Sequence, residues 1–314
     1  MITIEPLAIN RASFLGGSDM AAVMGLSPYK TPVQLWLEKV GRAEPEKPNK
    51  LRMRAMDRGK KLEPYVLDMV VDKLREQGNE VEIIATNQRY THPDYPFLSC
   101  EIDFELLFNG EHINGDCKTV TGFARKEWGE EGTDEVPIHY TAQFMHGLGL
   151  TGRKRCCVAA LIGLDDVAIY WVEEDLDTIK AMQEKAIAFW QNHVVTDSPP
   201  DPIKFEDVGI LFPSDNGKTI EATPDIALKV QEFISIKDQL KLLLERADDL
   251  KIDIAEFISP NAILNFYGKT LATWKGQEQS IFDQKRFKQE CPIVHAEYVN
   301  HKRIRVLRTP TKGN

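Results

Sequence analysis

Residues 98–118 read Leu-Ser-Cys-Glu-Ile-Asp-Phe-Glu-Leu-Leu-Phe-Asn-Gly-Glu-His-Ile-Asn-Gly-Asp-Cys-Lys, and this stretch decides the fold. Leu98, Cys100, Ile102, Phe104, Leu106 and Phe108 alternate with Ser99, Glu101, Asp103 and Glu105, the period of a strand with one apolar and one acidic face. Asn109-Gly110 is the strongest short-range hairpin signal, and the return strand runs from Ile113 to Val120. With a two-residue turn Phe108 faces Glu111. Counting away from the turn then sets Asp103 opposite Asp116, and Glu101 opposite Lys118.

Directly opposed residues hold their β-carbons about 5 Å apart, so two facing carboxylates repel each other unless a positive group lies between them. A divalent cation is the simplest such group, because Mg²⁺ is typically held by one or two carboxylates plus water and substrate phosphate. Lys118 lies two residues after Asp116 and points to the same side. There it can orient a water or steady charge on a phosphate. A solvated polar strand face with incidental charges would carry the same residues.

Outward from the hairpin, the N-terminal side reads as a Gly16-Gly17 turn, a helix near Asp19–Met24 stopped by Gly25, and a helix around Pro32–Val40. A longer helix follows over about Leu51–Leu74, started or kinked at Pro64. Glu63 shares helical spacing with Gly59, Val66 and Val70, which turns an acid toward the apolar side. It is either a helix-start acid paired with Arg58 or Lys60, or a third acidic group of the hairpin site. Gly16-Gly17-Ser18-Asp19 is a turn whose free amides suit either a plain helix cap or a phosphate, and Arg11 stands shortly before it.

On the other side, a polar loop over Thr121–Val136 leads to a helix at about His139–Leu148. Strands at Cys156–Ile162 and Val167–Val172 and a helix over Leu176–His193 follow, closed by Ser198-Pro199-Pro200-Asp201-Pro202. This order predicts an α/β (α+β) core with a mixed central sheet flanked by helices over residues 1–202. Residues 203–314 form an appended helical subdomain with a basic tail: a helix over Pro224–Leu250, then short strands at Thr270–Lys275 and Ser280–Phe282.

The chain has 314 residues, 42% hydrophobic and 28% charged, which excludes disordered and collagen-like classes. It shows no leader-like N-terminus and no apolar run of the ~18 residues a span needs, so a cytoplasmic protein with no membrane partner is expected. Its five cysteines include no C-x-x-C pair, which leaves buried free thiols rather than disulfides or a metal cluster. The formal charge is −9, yet residues 42–61 carry eight Lys or Arg against three acids and residues 270–314 carry nine against four. Local basic patches on an acidic body suit contact with phosphate along one channel, or two solvated faces.

The run Arg11–Asp19, Leu26-Ser-Pro-Tyr29, Leu35-Trp36, Arg58-Gly-Lys-Lys-Leu-Glu63, Asp103, Asp116-Cys-Lys118 and Tyr140-Thr-Ala-Gln143 occur in a characteristic order. Over residues 9–195 the chain closely resembles the YqaJ-type viral recombinases, phage alkaline exonucleases of the lambda type within the PD-(D/E)XK superfamily. That resemblance implies a restriction-endonuclease-like core. It also implies an Mg²⁺-dependent 5′-to-3′ exonuclease, with Mn²⁺ substituting, that digests one strand of linear double-stranded DNA and leaves 3′ overhangs for single-strand annealing. By resemblance, Asp103 and Asp116 are metal ligands with the Cys117 carbonyl, and Lys118 positions the attacking water. Glu63 completes the acidic cluster, Gln143 lies near the active site, and Arg11 and Ser18 hold the 5′-phosphate. It further implies a homotrimer ring and a single-strand annealing protein as partner, in a bacterial host cell carrying the phage or prophage.

The sequence departs from the pattern at Ile102, where the superfamily name has proline, and at Glu101, where lambda-type relatives carry a phosphate-contacting serine. Glu101 requires either a pairing with Lys118 or a phosphate pocket built differently. In the polar loop, Trp128 and Arg125 are candidates for contact with DNA. An endonuclease on the same fold, or a non-catalytic DNA-binding recombination scaffold, are the competing functions; the paired aspartates with Lys118 argue against a scaffold.

Overall fold

The computed structural model describes residues 10–43, 50–163, 167–301 and 304–310, and the side chains of residues 51 and 52 are outside that description. Parts of both basic runs, residues 44–49, 302–303 and 311–314, therefore lie outside the described residues. The chain divides into two compact units, Met1–Leu211 and Phe212–Asn314.

In the first unit the helices are α1 (Gly17–Val23), α2 (Pro32–Lys39), α3 (Lys50–Glu76), α4 (Ile138–Thr151), α5 (Leu176–Phe189) and α6 (Phe205–Leu211). Five strands, β1 (Val81–Thr91), β2 (Ser99–Phe108), β3 (Glu111–Val120), β4 (Arg155–Ile162) and β5 (Val167–Glu173), form one sheet in sequence order. The sheet is mixed: β3 and β4 are parallel and the other neighbours antiparallel. Parallel neighbours need a crossover, and α4 supplies it. One face packs Phe104, Leu106, Ile113 and Ala159 against Val66 and Val70 of α3. The opposite face packs Val158, Ala160 and Tyr170 against α1, α4 and α5. This is the α/β architecture expected from the order of elements.

The hairpin register agrees with the Asn109-Gly110 count from Phe108↔Glu111 to Phe104↔Gly115, and there the β2–β3 pairing ends. Asp103 and Asp116 are therefore not ladder partners, and Glu101 lies across from Arg89 of β1 rather than Lys118. The reason is local. Asp103 places Oδ2 2.8 Å from the Cys117 amide, which donates to it, so a carboxylate takes the backbone donor and the strands part. The last register pair also explains Gly115, since a Cβ there would sit 2.0 Å from the Phe104 ring. Gly115→Ala is expected to cost about 2 kcal/mol by overpacking. A urea midpoint unchanged from wild type would show that the ring has room to move.

Local signals fix the flanking helices. Thr31 and Gln34 form a reciprocal capping box ahead of Pro32 at the first turn of α2. Pro64 is accommodated inside a continuous α3. After α5 the expected helix widens into a π-turn over Trp190–Val195, where the His193 carbonyl accepts from Trp36 Nε1 at 3.0 Å. α6 belongs to the first unit beyond the proline-rich run, because buried Asp207 accepts from Thr31 Oγ1 at 2.6 Å.

The second unit contains α7 (Pro224–Ile258), a hairpin of β6 (Ile263–Phe266) and β7 (Lys269–Thr273), and short helices α8 (Gln284–Glu290) and α9 (Pro292–Tyr298). The expected strand at Ser280–Phe282 is absent, and β7 pairs instead with β6. Tyr267 and Gly268, at φ 44° and 78°, supply the two left-handed residues of the turn, a signal the Tyr-Gly pair conceals. No described helix is long and apolar enough to cross a membrane.

Candidate active site at the fork of β2 and β3

Beyond Gly115, β3 continues along β4 while β2 continues along β1, and the opening between them collects the polar residues of the hairpin. Asp116 is buried, with Gln143 Nε2 of α4 donating to its Oδ2 at 2.8 Å and Lys118 Nζ donating to its Oδ1. The Lys118 ammonium lies 5.1 and 5.5 Å from the ring centroids of Tyr140 and Phe144, also on α4. Tyr140, Gln143 and Phe144 stand at i, i+3 and i+4, so one helical face holds both members of the Asp116–Lys118 pair.

The electrostatics follow from burial and crowding. Burial, reinforced by Asp103 and Glu63 and opposed by Lys118, raises the Asp116 carboxyl well above the ordinary range. Glu63, reaching in from α3, is raised by burial and then by Asp103. Burial works against the Lys118 charge, but Asp116 and Asp103 outweigh it and hold its pKa above the usual lysine value. Burial and the same carboxylates raise the Cys117 thiol, so Cys117 contributes backbone rather than a thiolate.

Among the described residues no three His, Cys, Asp or Glu side chains are close enough to cage a metal ion. The donor set is nonetheless hard oxygen, without imidazole or thiolate, and its crowded carboxylates destabilise one another. That chemistry fits Mg²⁺ held by two carboxylates, with water and substrate phosphate making up the remainder.

The second group of expected residues lies beside the first. Arg11 Nη2 donates to Ser18 Oγ at 3.0 Å and stands 4.0 Å from Asp19 Oδ1. Asp19 is buried, capped onto the Gly16 amide and paired with Lys39 at 2.8 Å. A Cβ on Gly17 would meet Gln143 Cγ at 3.1 Å, tighter than ordinary contact, so α1 and α4 approach closely where residue 17 has no side chain. A cavity of about 20 Å³, room for one water, is lined by Gly17, Glu101, Asp116 and Gln143. On the other side, an open groove of about 490 Å³ runs past Tyr29, Met56, Glu63, Lys118 and Tyr140.

The structure thus brings together Glu63, Asp103, Asp116, Cys117, Lys118 and Gln143, with Arg11 and Ser18 alongside. Trp128 is a correction: it is buried against Tyr140 and Tyr170 in the core, so its ring does not face a substrate. Arg125 spends its guanidinium on the Trp128 and Gly129 carbonyls, while Phe123 in the same loop is 95% exposed. Sequence reasoning missed Arg89. Its guanidinium lies over the Phe14 ring at 4.2 Å, donates to Ser99 Oγ at 2.9 Å and faces Glu101 at 4.0 Å. The awkward acid is thus balanced by Arg89, and Arg11 approaches the same Phe14 ring. The signal for Arg89 was absent because β1 pairs with β2 through a bulged register that the sequence does not announce.

In comparison with known proteins, residues 8–154 match the family model of the YqaJ-like viral recombinase domain. The chain is 28% identical over 294 residues to the uncharacterized protein YqaJ of Bacillus subtilis (strain 168), covering 91% of this chain and 88% of that one. Among solved structures, the alkaline exonuclease LHK-Exo from Laribacter hongkongensis is similar at TM-score 0.44 and 17% identity, over 60% of this chain and 91% of that one. A phage related exonuclease from Haemophilus somnus 129PT is similar at TM-score 0.43 and 11% identity, over 59% and 95%.

Proposed function

For a chain whose residues 8–154 match the YqaJ-like viral recombinase domain, we propose Mg²⁺-dependent 5′-to-3′ exonuclease activity on linear double-stranded DNA. The products are nucleotides from one strand and a 3′ overhang for annealing-type recombination. One observation carries this reading: Gly17 packs on Gln143, whose amide holds Asp116, so the turn that bears Ser18 and its partner Arg11 stands next to the helix that orients the carboxylate. An anion-binding pair adjoining a hydrolytic site is the layout an end-directed nuclease requires.

Asp103 and Asp116, with the Cys117 carbonyl, would hold Mg²⁺, or Mn²⁺ in its place. The ion supplies Lewis acidity for phosphodiester hydrolysis when bound. Lys118 Nζ orients the attacking water and steadies negative charge growing on the phosphate. Gln143 fixes the Asp116 carboxylate, and Glu63 adds the third negative group that favours a cation. Arg11 and Ser18, with Arg89 beside them, grip the terminal 5′-phosphate as charge-assisted donors. A homotrimeric ring agrees with the charge distribution, since only a channel lining needs to be basic on a chain of net charge −9. We place its work in the cytoplasm of a phage-carrying bacterium, beside a single-strand annealing protein.

The test is digestion of end-labelled linear duplex and of a closed circle, with and without Mg²⁺. Metal-dependent shortening from the 5′ end that spares the circle is expected; cutting of the circle would replace this reading with an endonuclease. Arg11→Ala is expected to lower the rate about tenfold on 5′-phosphorylated ends, the worth of one charge-assisted hydrogen bond, and to leave 5′-hydroxyl ends nearly unchanged. Equal losses on both ends would remove Arg11 from the phosphate site.

A further inference from the structure

α7 runs for 35 residues, and among the described residues of the second unit only Ile258 has a buried hydrophobic side chain. A helix of that length ordinarily owes its stability to packing along an apolar face. The face exists: Phe233, Ile236, Leu240, Leu243, Ala247, Leu250, Ile254 and Phe257 recur at spacings of three and four, an unbroken heptad seam. Its large members are exposed, from 42% at Phe233 to 76% at Phe257.

The seam reads the same from both ends. Phe233 mirrors Phe257, Ile236 mirrors Ile254, Leu240 mirrors Leu250, and Leu243 mirrors Ala247. We propose that α7 pairs antiparallel with α7 of a second copy of this chain. A two-fold axis between Leu243 and Ala247 then matches like with like at every outer layer and sets the largest of the central residues against the smallest. Parallel pairing would instead face Ala247 with itself between two leucine layers, leaving a void. Nothing in recognition of an unrelated partner calls for this internal symmetry. The contact spans residues 233–257, ~37 Å of helix at 1.5 Å per residue.

The experiment uses the full chain. Light scattering coupled to size exclusion is expected to give wild type twice the mass of the Leu240→Asp/Leu250→Asp variant, whether the first unit is itself single or trimeric. Far-UV circular dichroism and nuclease activity on linear duplex confirm that the variant is folded. Orientation is read by cysteine pairing in a Cys291→Ser background, which removes the exposed native thiol. Phe233→Cys chains mixed with Phe257→Cys chains are expected to form disulfide-linked dimers on mild oxidation, while each alone stays reducible to background. Equal masses for wild type and variant, or self-linking of Phe233→Cys alone, would overturn the proposal.

Discussion

Lys118→Met is expected to slow strand hydrolysis about 10³-fold, a loss of about 4 kcal/mol in transition-state stabilisation. The side chain is held between Tyr140, Phe144 and Asp116, so its ammonium is pre-positioned and costs no reorganisation when charge grows on the phosphate. Methionine keeps the aliphatic stem and removes the charge. With its ammonium partner gone, the Asp116 carboxyl is raised further, which compounds the defect by favouring its protonated form. Single-turnover cleavage of end-labelled duplex at saturating Mg²⁺ measures it; a rate within tenfold of wild type would sink the assignment. Gln143→Met is expected to lose less, because it leaves both charges in place.

The second large effect lies in stability. His146 is buried on α4, with a ring nitrogen 3.1 Å from the Ser99 carbonyl, and burial lowers its pKa from 6.5 to about 4. Between those values the unfolded chain binds a proton that the folded chain refuses, so this contribution is full above about pH 6.5 and is lost as pH falls toward 4. At about 1.4 kcal/mol per pKa unit the total is about 3 kcal/mol, roughly 2 of it gone by pH 5. The raised carboxyls of Asp116 and Glu63 work in the opposite sense, so the comparison must be against His146→Gln. Urea midpoints at pH 7.5 and 5.0 are expected to converge for the two proteins at the lower pH. Parallel losses would mean that His146 is not the buried proton acceptor.

Much of this was legible. Alternation and an Asn-Gly turn set the register of β2 and β3, since a one-residue slip would move Phe104 and Leu106 to the polar face. The inward turn of Glu63 followed from its spacing with Val66 and Val70. The parting of the strands was not legible, because it depends on a side chain competing with the backbone for the Cys117 amide, and binary patterning does not see such competition. Trp128 was misassigned for a related reason. A polar loop gives no sign that one ring in it is drawn under Tyr140 and Tyr170. In the second unit, the β6–β7 turn uses a Tyr-Gly pair in place of the usual Asn-Gly, so its strands were set too late in the chain.

The Asp103–Cys117 contact also governs how mutagenesis of this site must be interpreted. Asp103 closes a main-chain valence of the neighbouring strand, so an alanine there orphans a partly buried amide as well as deleting a negative charge. Inactivity of Asp103→Ala would therefore confound a collapsed fork with a missing ligand. Asparagine retains an oxygen for the amide and discards only the charge, which makes the carboxamide, and not the truncation, the substitution from which electrostatic conclusions can be drawn.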